Sequence, residues 1–416
     1  MSTEVIKAAK FDPAFRAEVA NLVKGFDFGN CLACGMCTAG CAYSDVHANN
    51  DPRKFLRKLI LGMREEAMND PYYWLCTMCE RCTIECPMGI NVAAIVRGIR
   101  GTTNEAFSDD PAKKGPGFMV KVVEETIESG NQMNVSQEDF MDTIEWVEEE
   151  LQAELDDPDY KIPLDVEGAD FMFGFNAREI KYYPQELQSI LKIFYAAKAN
   201  YTISSKKWDA TNLALFSGND KDFWTITKPL FEEMERLKAK ELIVTECGHA
   251  FRSCRMGYRN FWDKESDYKF PIRHILQLMA EWIKEGRIKL DPDKITETVT
   301  YHDPCNTARK EGVYEEPRYV INSFIKNFNE MYPNKQWNLC CGGGGGALAT
   351  PEYKVERLAK GRLKADQVIK TGAKIVIVPC HNCMDQFNDI NKEFKLGVKN
   401  EHLCALIAEA LILDEK

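Results

Sequence analysis

The cysteines of this 416-residue chain constrain its fold more than any other feature. There are 16 of them, in two groups of eight that span Cys31–Cys86 and Cys247–Cys404. The N-terminal segment mixes charged residues and has no apolar signal region, and no segment approaches the roughly 20 apolar residues that cross a bilayer. Large chains without a secretory signal seldom use their cysteines as disulfides. We therefore expect metal or redox chemistry, and a cytoplasmic location.

The first group repeats one spacing twice. Each run has the form C-x2-C-x2-C-x3-C, and the second run ends in Cys-Pro. This is the bacterial ferredoxin pattern, in which three cysteines of a run hold one cubane [4Fe–4S] cluster and the fourth holds the other. Zinc sites prefer paired C-x2-C units with four ligands in all. The predicted ligands are Cys31, Cys34, Cys37 and Cys86 for the first cluster, and Cys76, Cys79, Cys82 and Cys41 for the second.

Five cysteines of the second group form another motif, Cys305-x34-Cys340-Cys341-Gly-x37-Cys380-x2-Cys383. The adjacent pair cannot readily close an unstrained disulfide with itself, so five converging thiolates indicate a metal cluster. The glycine run 342–346 follows the pair and lets the backbone approach closely. A phosphate-binding loop would need Lys-Ser or Lys-Thr directly after the glycines, and Ala347-Leu348 stands there instead.

This combination resembles the iron–sulfur subunits of heterodisulfide reductases. The N-terminal part, with Asp51-Pro-Arg-Lys-Phe and Trp74-Leu-Cys-Thr-Met-Cys, is similar to an HdrC-type ferredoxin, and the five-cysteine motif is similar to the CCG domain of HdrB type. The fused order is that of HdrD and, closest in kind, of DsrK and TmcB from the membrane redox complexes of sulfate reducers. The resemblance implies a noncubane [4Fe–4S] cluster on Cys305, Cys340, Cys341, Cys380 and Cys383.

The second half of the chain contains an internal repeat. Residues 241–250 and 374–383 both run from a short β-branched segment into a cysteine with a histidine nearby, and Phe175–Arg178 matches Cys305–Arg309 with one insertion. HdrD has two complete CCG motifs, but here the first copy has Phe175 near the position of the lone cysteine and Ala250 at the last position. We therefore predict that the first repeat is degenerate and holds no cluster.

The predicted fold class is α+β, with a helical N-terminal 2x[4Fe–4S] ferredoxin-type domain followed by two pseudo-repeated α/β CCG domains, the first degenerate. Leu242–Val244 and Ile375–Val378 have the short, apolar, β-branched character of buried strands. A Pro- and Gly-rich linker is predicted at Gly101–Gly117. The predicted domains are 1–115 for the ferredoxin, 116–162 for the linker and an acidic amphipathic helix, 163–265 for the degenerate repeat, and 266–416 for the complete repeat.

The net charge of −11 is concentrated in one segment. Between Val122 and Tyr160 there are 14 acidic residues and no Lys or Arg, so the remainder of the chain carries +3. Apolar residues recur through this segment at spacings of three and four, which predicts a helix with either a solvated or a partner-facing acidic face. Nucleic-acid binding is not expected, because there is no broad basic excess to neutralise phosphates.

Three histidines lie within three residues of a motif position. They are His249, His302 and His381, and we predict that one of them acts catalytically by protonating a leaving thiolate. His381 is the first choice because two predicted ligands flank it. The absent cluster of the first repeat predicts a cleft beside the remaining cluster, with Cys247 and His249 on one side and His381 on the other.

The resemblance implies a function in anaerobic sulfur and energy metabolism, such as sulfate respiration. The chain would pass electrons through two cubane clusters to the noncubane cluster, where a thiol/disulfide or trisulfide on a DsrC-like protein is reduced or oxidised. Implied partners are a membrane subunit that handles haem or quinone, through which the chain would attach peripherally to the inner membrane, and the DsrC-like substrate. Two alternatives stay open: an electron-transfer subunit of a lactate, glycolate or glycerol-3-phosphate dehydrogenase, and a pure electron-relay module.

Overall fold

The computed structural model describes residues 11–23, 28–44, 46, 51–103 and 117–413. The predicted domain boundary at residue 115 and most of the predicted linker Gly101–Gly117 lie outside these residues. No helix among the described residues has the length and apolar character that crossing a membrane requires.

The N-terminal part of the described chain is helical. Asp51 caps α3 by accepting a hydrogen bond from the backbone N of Lys54, and Pro52 occupies the first helical position. The short helices α2 and α6 pack against each other, and each ends just before the last cysteine of its run. The helices are α1 (Pro13–Leu22), α2 (Met36–Gly40), α3 (Pro52–Ile60), α4 (Arg64–Met68), α5 (Tyr72–Leu75), α6 (Arg81–Glu85) and α7 (Val92–Thr103).

Two helices, α8 (Gly117–Ser129) and α9 (Gln137–Leu155), connect this part to the rest of the chain. The acidic amphipathic helix predicted from the sequence is confirmed as α9. Ser136 caps its start, and Asp156 ends it in the left-handed conformation. Its buried face consists of the five apolar residues that carry the periodicity, Phe140, Ile144, Val147, Leu151 and Leu155.

The first repeat is built on a parallel sheet of order β2-β1-β3-β4. Its strands are β1 (Phe171–Gly174), β2 (Tyr201–Thr202), β3 (Leu242–Val244) and β4 (Ile272–His274). Because β4 pairs with β3, the first sheet extends past the domain boundary expected at residue 265. The helices of this part are α10 (Ala177–Lys181), α11 (Pro184–Ala196), α12 (Ala214–Ser217), α13 (Asp220–Leu237), α14 (Gly248–Gly257), α15 (Asp263–Glu265) and α16 (Ile275–Lys284).

The second repeat has a parallel sheet of order β6-β7-β8. Its strands are β6 (Val299–Tyr301), β7 (Ile375–Ile377) and β8 (Lys399–Glu401), and its helices are α17 (Glu315–Phe324), α18 (Lys354–Thr371), α19 (His381–Phe394) and α20 (Leu403–Ala410). A separate antiparallel pair joins β5 (Lys289–Leu290) to β9 (Leu411–Ile412).

The two sheets follow the same plan, which confirms the predicted fold class. Cys247 and Cys380 each stand between a central strand and a helix N-terminus. The correspondence extends to two histidines. His274 ends β4 and His402 directly follows β8, and each precedes the first residue of a helix, α16 or α20. Residues of α9, α11, α16, α17, α20 and both sheets form one apolar core, so the repeats are packed together through a common interior.

Candidate metal centre

The four cysteines proposed for the first cubane line one pocket. Cys31, Cys34, Cys37 and Cys86 surround an empty volume of about 360 Å³ between α2, α3 and the loop after α6. Cys34 is exposed and the other three are partly buried, so this pocket lies close to the protein surface. Four cysteines lining one pocket supply the donor set that a cubane cluster requires.

The cysteines proposed for the second cubane are placed differently. Cys41, Cys76 and Cys82 lie near enough to act on one another electrostatically, whereas Cys79 lies within hydrogen-bonding reach of Cys340 in the CCG motif. Burial raises the pKa of Cys41 to about 12. A thiol with such a pKa is protonated at neutral pH, so a metal bound there would have to displace its proton.

The five cysteines of the CCG motif come together in the buried interior. Cys341 Sγ lies 3.3 Å from Cys383 Sγ, and Cys340 lies within hydrogen-bonding reach of Cys305. Cys305 opens a π-helical turn, an irregularity that is common at functional sites. Cys380 stands at the N-terminus of α19, so that Cys383 projects from its first turn. The structure thus gathers the five thiols that the resemblance assigns to a noncubane cluster.

The glycine run holds the CCG motif against the second ferredoxin run. Gly345 has a φ of +65°, and a Cβ placed on it would lie 2.6 Å from backbone atoms of Thr77. A Cβ on Gly343 would lie 2.8 Å from the carbonyl oxygen of Asn382. The side chains meet as well, because Cys340 Sγ lies 3.5 Å from Thr77 Oγ1. The glycines are therefore required by close backbone approach, and they make the second cubane site and the CCG site neighbours.

Buried cations surround these thiols. Arg100 is fully buried and donates to the carbonyl oxygens of Trp74, Phe216 and Gly345, among others, which ties the ferredoxin loop to both repeats. Burial lowers the pKa of Arg100 to about 10, so it stays charged at neutral pH. Positive charges of this kind offset the negative charge of clustered thiolates. Arg252, Lys360 and Lys364 are buried as well, and the half-buried Arg309 donates to the carbonyl oxygen of Cys79.

These cations were not predicted from the sequence. The pattern that could have indicated some of them is in α18, where three basic residues recur at spacings of three and four on one helical face. They are Arg357, Lys360 and Lys364, and that face is buried. Lys360 Nζ donates to the carbonyl oxygen of Leu75 at 2.9 Å. Burial lowers the pKa of Lys364 to about 8, while the neighbouring Cys341 thiolate opposes this shift. A basic face on a helix usually points to solvent, and here it points to the metal centre.

The structure separates the three predicted histidines. A ring nitrogen of His302 lies within 4.8 Å of both Cys341 Sγ and Cys383 Sγ, and no hydrogen-bond partner of this ring is found among the described residues. His249 is bound to the carbonyl oxygen of Asn212 at 2.7 Å. His381, the first choice from the sequence, instead contacts the carboxylate of Glu186. His302 is thus the predicted histidine whose ring nitrogen lies beside two of the proposed ligand sulfurs.

A cleft between the two repeats opens at the CCG site, although its walls differ from the expectation. Its empty volume is about 900 Å³, and its lining includes Arg178 and Lys181 from the first repeat and Gly343 and Asn382 from the second. The expected walls, Cys247, His249 and His381, are at most 1% exposed and lie behind this surface. They are buried because each lies at the start of α14 or α19, shortly after a buried central strand. The expected lining was therefore wrong.

The first repeat contains packed side chains where the second has ligands. Phe175 stacks on Trp208 with 5.1 Å between ring centroids, and Trp208 stacks in turn on Phe140 at 5.0 Å. Ala250 is completely buried. The remaining thiol at the matching position, Cys247, lies within hydrogen-bonding reach of Cys380 in the other repeat. These contacts support the view that the first repeat has lost its own cluster.

Comparison with known families agrees with this arrangement. Residues 30–91 match the 4Fe-4S dicluster domain, and residues 299–388 match the cysteine-rich (CCG) domain. These matches cover the proposed cubane ligands and the five-cysteine motif, and they identify the two kinds of iron–sulfur domain.

Three relatives show how the chain compares with curated proteins. It is 27% identical to a dihydromethanophenazine:CoB–CoM heterodisulfide reductase subunit of Methanosarcina barkeri, over 97% of this chain and 98% of the relative. It is 25% identical to an Hdr-like menaquinol oxidoreductase iron-sulfur subunit of Archaeoglobus profundus, over 84% of this chain and 69% of the relative. It is 27% identical to a probable membrane-anchored ferredoxin of Chromohalobacter salexigens, over 87% of this chain but 56% of that longer protein.

Proposed function

We propose that the chain, an HdrD-like iron–sulfur protein by its domains and relatives, is a subunit of a membrane-associated redox complex that exchanges electrons with a thiol/disulfide substrate. Two cubane clusters and one noncubane [4Fe–4S] cluster, held by the thirteen cysteines of the two motifs, would supply one-electron transfer when bound. The relatives named as a heterodisulfide reductase subunit and as a menaquinol oxidoreductase subunit support this assignment.

The observation that carries the proposal is the cleft between the repeats. It reaches Asn382, which directly precedes Cys383, and Gly343, whose backbone N donates to Cys341 Sγ at 3.4 Å, so a substrate in the cleft can approach the proposed ligand sulfurs. Ligand sites commonly lie at such interfaces between domains. A site that only relayed electrons would gain nothing from an open cleft of about 900 Å³ at this place.

The surface around the first cubane pocket suits a redox partner. Three apolar side chains around the first cubane pocket are 45% exposed or more, and they are Leu32, Met36 and Met88. The helix α3 beside them presents basic residues such as Lys54, which is 64% exposed at its side chain. A membrane subunit that handles haem or quinone would dock on this surface and hold the chain at the inner membrane. Electron exchange would occur at the cluster nearest the surface.

The substrate that best fits the cleft is a protein disulfide or trisulfide, such as that of a DsrC-like protein. Because the first repeat has no ligand set of its own, a small heterodisulfide would lack a second cluster to hold it. A flexible protein arm can instead take its affinity from the body of the partner outside the cleft. Arg178, which is paired with Asp385, lines the cleft together with Lys181 and Glu125, so the lining carries charges of both signs. His302, beside Cys341 and Cys383, is the proposed proton donor, and like His249 and His381 it is buried behind the cleft wall.

A relay function is the second candidate, and one observation favours it. The relative from Chromohalobacter salexigens is named a ferredoxin, a class of protein that carries electrons without acting on a substrate. In that case the cleft would stay empty during turnover, and the chain could equally serve a lactate, glycolate or glycerol-3-phosphate dehydrogenase.

Binding of a cysteine-containing arm distinguishes these functions. We expect a DsrC-like protein, or a peptide ending in its cysteine, to perturb the EPR signal of the oxidised CCG cluster in the anaerobically prepared chain. The same peptide with Ser in place of Cys should leave the signal unchanged. The proposal fails if lactate, glycolate or a CoM–CoB-type heterodisulfide supports turnover with the purified complex while the protein disulfide does not.

A further inference from the structure

A second group of metal-ligating side chains lies outside the cysteine motifs. Glu186 belongs to the first turn of α11 in the first repeat, whereas His381 and His402 stand at the N-termini of α19 and α20 in the second. Three separate elements therefore contribute one side chain each to a single place, one from the first repeat and two from the second. None of the three is a proposed cluster ligand.

The potential donor atoms converge. One ligand atom from each of the three residues lies within 4.8 Å of the other two. His381 Nε2 is 2.9 Å from Glu186 Oε2, and His402 Nε2 is 3.5 Å from Glu186 Oε1. The two imidazole rings are 4.7 Å apart between centroids. Both rings thus direct the same nitrogen, Nε2, toward one carboxylate.

A buried nitrogen atom of this group has no hydrogen-bond partner among the described residues. His402 is 3% exposed, and its Nε2 has no hydrogen-bond partner among the described residues. An unpaired buried nitrogen is costly unless something else binds it. Burial lowers the pKa of His402 to about 4, so the ring is neutral at physiological pH and its Nε2 can act as a metal ligand.

The surroundings match those of a metal site. His402 Nδ1 faces the carboxylate of Glu246 at 3.9 Å, which is longer than a hydrogen bond but on the side from which carboxylates commonly orient a metal-bound histidine. Glu246 and Glu179 are also fully buried nearby, and burial raises the pKa of each to about 7. A divalent cation would relieve the cost of burying these three carboxyl groups together.

We propose that Glu186, His381 and His402 form a mononuclear site for a divalent transition-metal ion, such as Zn²⁺, at the interface between the two repeats. Two imidazoles and one carboxylate are the donor set of catalytic zinc sites and of non-haem Fe²⁺ sites, both of which keep open coordination positions. The site is separate from the cluster ligands, and the proposal does not depend on the nature of the substrate.

Metal analysis of the cluster-loaded chain tests this site without an activity assay. The protein is equilibrated anaerobically with Zn²⁺, which displaces Fe²⁺ from sites of this kind, and the excess is removed. We expect about one zinc per chain, with unchanged cluster iron and with only N or O neighbours at about 2.0–2.2 Å in zinc-edge X-ray absorption. The proposal is overturned if no zinc is retained, or if sulfur neighbours at about 2.3 Å show that zinc occupies a cysteine site.

Two variants locate the ion. His402→Asn, alone or with Glu186→Gln, should lose the zinc and keep the cluster iron. His274→Asn is the matched control, because His274 holds the equivalent helix-capping position in the first repeat and should not affect zinc. Zinc retention by the double variant would contradict the site. If that variant fails to fold, Glu246→Gln provides the second test, since loss of the orienting carboxylate should weaken zinc binding about 10- to 100-fold.

Discussion

At the scale of single residues, Glu179 gives the structure a predictable pH dependence. Its fully buried carboxylate accepts hydrogen bonds from the backbone N of Asn176 and from Thr245 Oγ1, both at 2.6 Å, and it faces His381 and Glu186. Burial raises its pKa from 4.5 to about 7. The folded protein therefore holds a proton that the unfolded chain has lost, and stability decreases as the pH rises from about 4.5 through about 7.

The substitution Glu179→Gln should remove this contribution. Glutamine keeps the shape and can bind both partners, so the variant should lose less stability between pH 5.5 and pH 8 than the wild type, by about 2 kcal/mol. Anaerobic urea denaturation at the two pH values measures the difference. Part of the pH dependence should remain, because Glu246 is buried in the same way. Equal pH dependence in the two proteins would contradict the raised pKa.

The cysteine assignments are also tested one residue at a time. Cys341→Ser should abolish the unusual EPR signal of the oxidised CCG cluster and leave the signals of the reduced cubanes, because it removes one of five proposed ligands. Cys247→Ser is the matched control: its thiol is buried next to Cys380 but lies outside the motif, so all three clusters should remain. Loss of the CCG cluster in the control would show that the ligand set includes Cys247.

At the scale of structural elements, the glycine run sets the distance between two cluster sites. Gly345→Ala would place a Cβ 2.6 Å from the backbone of Thr77, which cannot move without displacing the neighbouring Cys76. We expect slower electron transfer between the second cubane and the CCG cluster and a loss of stability of about 2 kcal/mol or more. Pulsed reduction followed by optical or EPR detection measures the rate.

Gly286→Ala is the control for that substitution. Gly286 also has a positive φ, +71°, but nothing lies within 4 Å of the position of its Cβ. The Gly286→Ala variant therefore measures the loss of stability caused by a positive φ at alanine, without a steric clash. It should leave electron transfer unchanged. If both variants transferred electrons at the wild-type rate, the close contact of the glycine run would not matter for the connection between the sites.

Helices and strands that are determined by residues close together in the sequence could be predicted from it. The periodicity of α9 and the β-branched segments β3 and β7 depend only on neighbouring residues, and all three are present. The strand β4 could not be predicted, because it is three residues long and has no cysteine beside it to mark the pattern. The lining of the cleft depends on how two repeats and α8 pack, and sequence spacing carries no information on that packing.

At the scale of the whole molecule, the ferredoxin-type part and the two repeats are joined at the metal centre. Arg100 connects the second ferredoxin run to Phe216 of the first repeat and Gly345 of the second. The apolar core of the N-terminal part also includes Leu213, Leu215 and Phe223 of the first repeat. The first repeat has therefore kept a structural role, as a platform for the other two parts, after losing the residues that would bind a cluster.

The number of clusters tests the central claim most directly, since it depends on both ferredoxin runs and on the single intact CCG motif. Iron and acid-labile sulfide should be measured in the anaerobically prepared full chain, after removal of unbound iron. The account predicts about 12 iron and about 12 sulfide per chain, as three four-iron clusters. About 8 iron would mean that the CCG motif holds no cluster, and about 16 would mean that the first repeat binds one after all.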